Sequence, residues 1–204
     1  MASNSPSTAQ PKVADPGPLG LAAFAMTTFV LSISNAQIGT GAKGVAAAAL
    51  ALALVYGGIA QFAAGMWEFV RKNTFGALAF TSYGAFWISY FVFGRFIAPS
   101  IGNAGDVNAA VTVFLLSWTI FTCYMMIASF RVSTAVAVVF VLLALTFLAL
   151  TIGSGTSSTL FNQIGGYLGI LTAIAAWYAS FAGVVNETFG RNVIPTHSLA
   201  IQSH

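Results

Sequence analysis

Charge is scarce in this chain: 5% of its 204 residues are Asp, Glu, Lys or Arg. A domain that faces water on all sides carries about 25%. There are too few charges here to coat such a surface, which excludes a soluble enzyme, a nucleic-acid binder and a disordered tail. Cysteine is equally rare. Cys123 is the only one and lies inside an apolar run, so neither a disulfide framework nor a cysteine metal cluster is available. It reads as a small packing residue. The two histidines, His197 and His204, fall in the C-terminal tail without a carboxylate or cysteine at ligand spacing. No metal or other cofactor is expected.

What the chain has instead is long apolar runs, with 58% hydrophobic residues and a mean hydropathy of +0.87. Crossing hydrocarbon takes about 20 apolar residues. Six segments qualify, at about 18–38, 45–68, 74–94, 109–130, 132–153 and 165–185. They read as helices, because runs such as 45–55 and 132–150 are apolar on every face, whereas a barrel strand alternates. A helix also satisfies its own backbone in lipid. The expected organisation is a polar, disordered tail over 1–14, a six-helix transmembrane domain over 15–191 and a tail over 192–204. The polar start lacks a cleavage pattern, so a removed signal peptide is not expected.

Charges mark the span ends: Lys43, Glu68, Arg71, Lys72, Arg95, Asp106, Arg131, Glu187 and Arg191 all fall there, leaving no carboxylate buried along the spans. Counting Lys and Arg on alternate connections puts Lys12, Arg71, Lys72, Arg131 and Arg191 on one side and Lys43 and Arg95 on the other. The richer side faces the cytoplasm, and with it both termini.

No catalytic constellation is present. Gly39, Gly41 and Gly44 lack the preceding strand and the Lys-Ser/Thr ending of a phosphate loop. Chemistry is left to uncharged polar residues inside the spans. Phe24, Thr28, Leu31 and Asn35 share one face of the first helix. Gly57, Gln61 and Gly65 do so in the second, and Gly76, Phe80, Tyr83, Gly84 and Trp87 in the third. Threonine and serine commonly glue membrane helices. A mid-span amide such as Gln61 brings four hydrogen-bonding needs into hydrocarbon and points to a pathway. Gly165, Gly169 and Ala173 form a small-residue strip suited to close packing, within the chain or between copies.

The lead-in Asp15-Pro16-Gly17-Pro18-Leu19-Gly20-Leu21, followed by Phe24, starts a helix whose free N–H groups could attract a small anion. This run resembles the Asn-Pro-Ala-Pro-Leu-Gly-Leu motif of the acetate uptake transporter family, which includes bacterial succinate–acetate permeases. Three further runs are similar to that family. They are Tyr56-Gly57-Gly58-Ile59-Ala60-Gln61 with Gly65 and Glu68; Asn73-Thr74-Phe75-Gly76 with Phe80-Thr81-Ser82-Tyr83-Gly84 and Phe86-Trp87; and Asn186-Glu187-Thr188-Phe189-Gly190-Arg191 with Pro195.

The resemblance implies a multi-pass transporter or anion channel of the cell membrane (the inner membrane, in a bacterium). It would carry acetate and related small monocarboxylates, and succinate in some members, as a homo-oligomer, by family a hexamer. It also implies a Phe–Tyr–Leu constriction. Matched motif by motif, its members are Phe24, Tyr83 and Leu143, with Leu142 and Leu145 close to the last. A selectivity-linked small residue maps to Ala176. Donors along the path are expected from Gln61, Thr28, Asn35, Ser82 and the first helix N-terminus. Two departures stand out: Asp15 replaces the motif Asn, and Gly17 replaces its Ala. Gly183 stands where some bacterial relatives have Glu. The competing readings are a membrane assembly protein without a path and a neutral-solute or ammonium-type channel. Paired histidines inside the spans would mark the latter, and there are none.

Overall fold

The structure, a computed structural model, describes residues 13–39 and 41–197. Most of the tail expected over 1–14, and His204, lie outside the described residues. Six helices are long and apolar enough to cross a membrane: α1 Gly17–Asn35, α2 Gly44–Val70, α3 Thr74–Ile101, α4 Ala104–Ser129, α5 Thr134–Gly155 and α6 Thr159–Phe189. They match the six expected segments in order, and the protein is a multi-pass helical membrane protein.

The differences lie at the ends. Helix α3 runs past the expected stop near Arg95, through a wide π-turn at Phe93–Ile97, and closes at Gly102 in the left-handed conformation. Helix α6 begins six residues early. Ser158 caps it by accepting the Phe161 N–H at 3.5 Å, so the polar Asn162 and Gln163 are helical although a hydropathy window skips them.

The six helices form a ring. Helix α1 packs most extensively on α6, α6 on α5 and α5 on α4, while α2 pairs with α3 and both return to α1. Two kinds of joint hold it. At α2–α3 the backbones touch: a methyl added at Gly84 would lie 2.6 Å from the Phe62 backbone nitrogen, and one at Gly65 would collide with the backbone of Thr81. The expected small-residue strip packs within the chain: Gly165 abuts the Leu150 side chain and Gly169 abuts Ser32 Oγ, while the neighbouring Gly166 abuts the backbone of Ala36.

At α3–α4 the backbones stay apart and long side chains bridge the gap. Tyr83 packs edge-on against Phe121 at 5.3 Å, and Phe86 meets Phe114 at 5.4 Å and Trp118 at 5.1 Å. Such ring contacts contribute about 0.5–1.5 kcal/mol each beyond the area they bury.

Outward faces are apolar, as lipid requires: Val113, Leu116, Ile120 and Ile127 are exposed along α4. Cys123 shares that exposed helix surface rather than packing inside, because its neighbours Thr122 and Met125 take the inward positions. The chain after α6 returns to the bundle. Asn186 Oδ1 accepts from the N–H groups of Val193 and Ile194, and its Nδ2 donates to Ile194 O. Thr134 N–H donates to His197 O at 3.0 Å, so the start of α5 is satisfied by this returning strap.

Replacing Gly65 by Ala forces α2 away from the Thr81 backbone. Overpacking of this kind costs about 1–3 kcal/mol, and a lowered melting temperature in detergent is the expected reading.

Candidate functional site

Inside the ring are two cavities. The larger, about 520 Å³, is lined by Thr28, Ser32 and Asn35 of α1, Trp87 of α3, Asn108 of α4, Thr146 of α5 and Asn162 of α6 among others. The smaller, about 210 Å³, is lined by Leu21 of α1, Gln61 and Glu68 of α2, Asn73 before α3, Phe80 and Tyr83 of α3 and Val136 and Phe140 of α5, with Asp15 at its edge. Phe24 and Leu143 line both. Tyr83 lines the smaller one, its ring centroid 5.8 Å from that of Phe24.

Three helices thus bring Phe24, Tyr83 and Leu143 into one buried cluster, each at most 5% exposed. Ala176 of α6 belongs to that cluster and is fully buried, but it lines neither cavity. Ser82 lines neither cavity as well and is half-buried. The Tyr83 hydroxyl is 2.9 Å from Thr122 Oγ1, which fixes the ring across the α3–α4 gap.

Local structure aims Gln61. The turn before it, Val55–Ala60, is a π-turn, which shifts the register of every later side chain on α2. Gly57 at this turn lets α1 approach, since a methyl there would lie 2.6 Å from Thr27 Oγ1. After the turn, Gln61 and Glu68, two turns apart, both face the smaller cavity, and they are 1% and 2% exposed.

The buried polar groups fall into two sets. Thr119, Thr146, Thr151 and Thr172 each donate to the carbonyl four residues back, at 2.7–2.8 Å. They also pair across helices, Thr119 with Thr151 at 3.1 Å and Thr146 with Thr172 at 3.2 Å. These serve as glue. In contrast, Thr28 Oγ1, Thr81 Oγ1, Gln61 Oε1 and Trp87 Nε1 are buried without a hydrogen-bond partner among the described residues; Thr81 lines neither cavity, whereas Thr28, Gln61 and Trp87 each line one. An unmade hydrogen bond costs about 1–3 kcal/mol, so the three cavity-lining groups are oriented toward whatever enters.

The lead-in is built as follows. Pro16 precedes α1, Pro18 sits in its first turn, and Gly20 N–H donates to Pro16 O at 3.0 Å. Gly20 admits the Phe80 ring, which a methyl would meet at 2.6 Å. Leu19 faces outward at 43% exposure, whereas Leu21 faces the smaller cavity. Ser180 of α6 donates to Pro18 O at 2.7 Å. Asp15 Oδ1 accepts the Gly17 N–H at 2.9 Å and is ion-paired with Arg71. The chain's own carboxylate therefore takes one of the free N–H groups expected to attract an anion.

Glu68 corrects the expectation that no carboxylate is buried along the spans. It lies at the end of α2 by count, but it is 2% exposed and faces the smaller cavity. Its Oε2 accepts from Asn73 Nδ2 at 2.9 Å. The spacing Gln61–Gly65–Glu68 continues the polar face of α2 by one more turn, and that periodicity is the signal that could have found it. Asn73, Asn108 and Asn162 sit at helix starts, where they read as caps or loop residues, and only the closed ring turns them toward the cavities.

Two internal cavities that share an aromatic cluster, with open hydrogen-bonding groups along them, are the architecture of a small-solute channel or transporter. The chain belongs to the GPR1/FUN34/yaaH family, whose model matches residues 2–200. It is 36% identical over 185 residues to the succinate-acetate/proton symporter SatP of Escherichia coli K12, covering 90% of this chain and 95% of that protein. It is 40% identical over 185 residues to accumulation of dyads protein 2 of Saccharomyces cerevisiae, covering 86% of this chain and 63% of that one; it spans less than two thirds of that yeast relative. Among solved structures, the bacterial acetate channel SatP superposes with a TM-score of 0.79 at 34% identity, covering 91% of this chain and 99% of that one.

Proposed function

We propose that this chain passes acetate and related small carboxylates, succinate among them, across the cell membrane through a path in each subunit. The observation that carries the reading is the pair of cavities joined at Phe24 and Leu143. A likeness to the SatP symporter and the SatP acetate channel supports the substrate class.

Acetate is ionised at neutral pH, since carboxyl groups titrate at about 4–5, and its burial without partners costs several kcal/mol or more. The cavity walls offer no Lys or Arg, so relief comes from hydroxyl, amide and indole donors at Thr28, Asn35, Gln61 and Trp87. Such binding is weak enough to release the solute again. Where the cavities meet, Phe24, Tyr83 and Leu143 present rings and methyl groups. They act as a hydrophobic constriction that strips water and limits size. Asp15, ion-paired with Arg71, edges the smaller cavity, on the side that the Lys and Arg bias assigns to the cytoplasm.

Liposomes loaded with the purified protein and supplied with labelled acetate test this directly. Flux above that of protein-free vesicles is expected, and its absence would leave an assembly role. Gln61→Leu keeps the volume and deletes the amide, so it should fold and lose most of the acetate flux; wild-type flux in that variant would remove Gln61 from the path.

Phe24→Ala and Leu143→Ala should widen the constriction. The expected outcome is a lower acetate-to-lactate flux ratio at equal protein amount, together with a stability loss of about 2–5 kcal/mol. An unchanged ratio would place these two residues in the packing alone.

The family likeness supports a homo-oligomer, a hexamer by resemblance, with one path in every copy. Native mass spectrometry in mild detergent is expected to show six chains, and a monomer alone would count against it.

A further inference from the structure

We propose that Glu68 is the proton-carrying group of the path, taking up one proton when a carboxylate occupies the smaller cavity and giving it up when the carboxylate leaves. This rests on the transport reading above and assigns a residue to the charge balance of that same site.

The geometry starts with what Glu68 lacks. It is 2% exposed, and its one hydrogen bond to a side chain is to the neutral Asn73 amide. Its charged neighbours are few. Asp15, from the segment ahead of α1, and Arg71, from the end of α2, are the charged groups beside it. Arg71 is ion-paired with Asp15. Across the cavity stand Val132 ahead of α5, Val136, Val139 and Phe140 on α5, and Phe75, Gly76, Ala79, Phe80 and Tyr83 on α3. Tyr83 is the only titratable group on those two walls.

Space at this point is reserved for a carboxyl group. A methyl on Gly76 would lie 2.6 Å from Asn73 Nδ2 and 2.8 Å from the Glu68 carboxyl carbon. A methyl on Gly17 would lie 3.1 Å from Asp15 Oδ1 and 3.6 Å from Glu68 Oε1. Two carboxyl groups thus flank one point on the cavity edge, with a single guanidinium between them.

A carboxylate entering the 210 Å³ cavity to reach Gln61 meets Glu68 on the same helix face. Two ionised carboxyl groups in so small and apolar a space repel strongly. One proton removes the repulsion. It leaves a hydronium ion on the side of entry, forms an O–H bond on Glu68 as the anion arrives, and passes to water on the side of exit as the anion departs. The net movement is one anion with one proton, and no other reactant is needed.

The test uses the full chain in liposomes with a trapped pH indicator and labelled acetate over a range of pH, with protein-free vesicles as the background. Wild-type protein should move protons with acetate and carry more acetate as the pH falls. Glu68→Gln keeps the shape and an acceptor for Asn73. Its proton movement should drop to background, and whatever acetate flux it carries should no longer depend on pH. Glu68→Asp should restore proton movement with a displaced pH midpoint, and it decides the matter if the Gln variant does not fold. A Glu68→Gln protein with the wild-type proton-to-acetate ratio and pH profile overturns the assignment, as does Glu68→Asp with an unmoved midpoint. Wild-type protein without acetate flux overturns the transport reading itself, so the two failures are distinguishable.

Discussion

A polar group inside a bilayer has either a partner in the protein or a reason to lack one, and this bundle sorts its polar groups by that constraint. Water cannot repair an unmade hydrogen bond there. The threonines of α4, α5 and α6 answer by bonding backward to their own helices and sideways to each other. They tie helices together and leave nothing over. Thr28, Gln61 and Trp87 do not follow that pattern. All three line cavities, and two of them flank the Phe24–Leu143 cluster in sequence or across the ring. The contrast between satisfied and open polar groups, the open ones a hydroxyl, an indole and an amide oxygen, supports the proposed route beyond cavity shape alone.

The same constraint explains why the ring has two kinds of joint. Where glycine lets backbones touch, as at Gly65 and Gly84, helices α2 and α3 close with no space between them. A path cannot run there. At α3–α4 the backbones are held apart by Tyr83, Phe86, Phe114, Trp118 and Phe121. Rings are rigid spacers with few rotatable bonds, so they keep a gap open at a defined width. The Tyr83 hydroxyl bond to Thr122 then sets where one ring stops. Close packing on one side and aromatic spacing on the other leave interior volume in which α1, α3 and α5 line both cavities.

Much of this was legible before any coordinates. The six spans, their order and the shared faces of Phe24, Thr28 and Asn35 follow from hydropathy and helical period alone, because lipid enforces both. Bringing Phe24, Tyr83 and Leu143 together required knowing how the ring closes, which a single chain's periodicity does not contain; the family likeness supplied it. The burial of Glu68 is not legible from charge, because charges mark span ends, where a carboxylate ordinarily faces water. Burial there depends on Gly17 and Gly76 making room from other segments. Cys123 was misplaced for the opposite reason. Inside an apolar run, inward and outward positions differ only by phase, and α4 turns Thr122 inward. Ser82 shares a helix with Tyr83 but points one residue off its face, and it lines neither cavity.

Asp15 gains its meaning from these neighbours. In the family motif an amide stands at this position, able to hold the first turn of α1 without adding charge. Here a carboxylate accepts the same Gly17 N–H and recruits Arg71. Both Asp15 and Arg71 remain more than a third or about a third exposed, so their pairing contributes little to stability, about 0–1 kcal/mol. Its effect is on the field at the cavity edge. With an Asn, Arg71 would stand alone opposite Glu68, and the edge would be neutral overall. With Asp15, one cation faces two carboxylates. An approaching anion therefore meets net negative charge until a proton compensates it, and a dianion meets twice the repulsion of a monoanion. On the transport reading proposed above, the substitution would favour small monocarboxylates over dicarboxylates at this mouth, apart from any selection by size at the Phe24–Leu143 cluster.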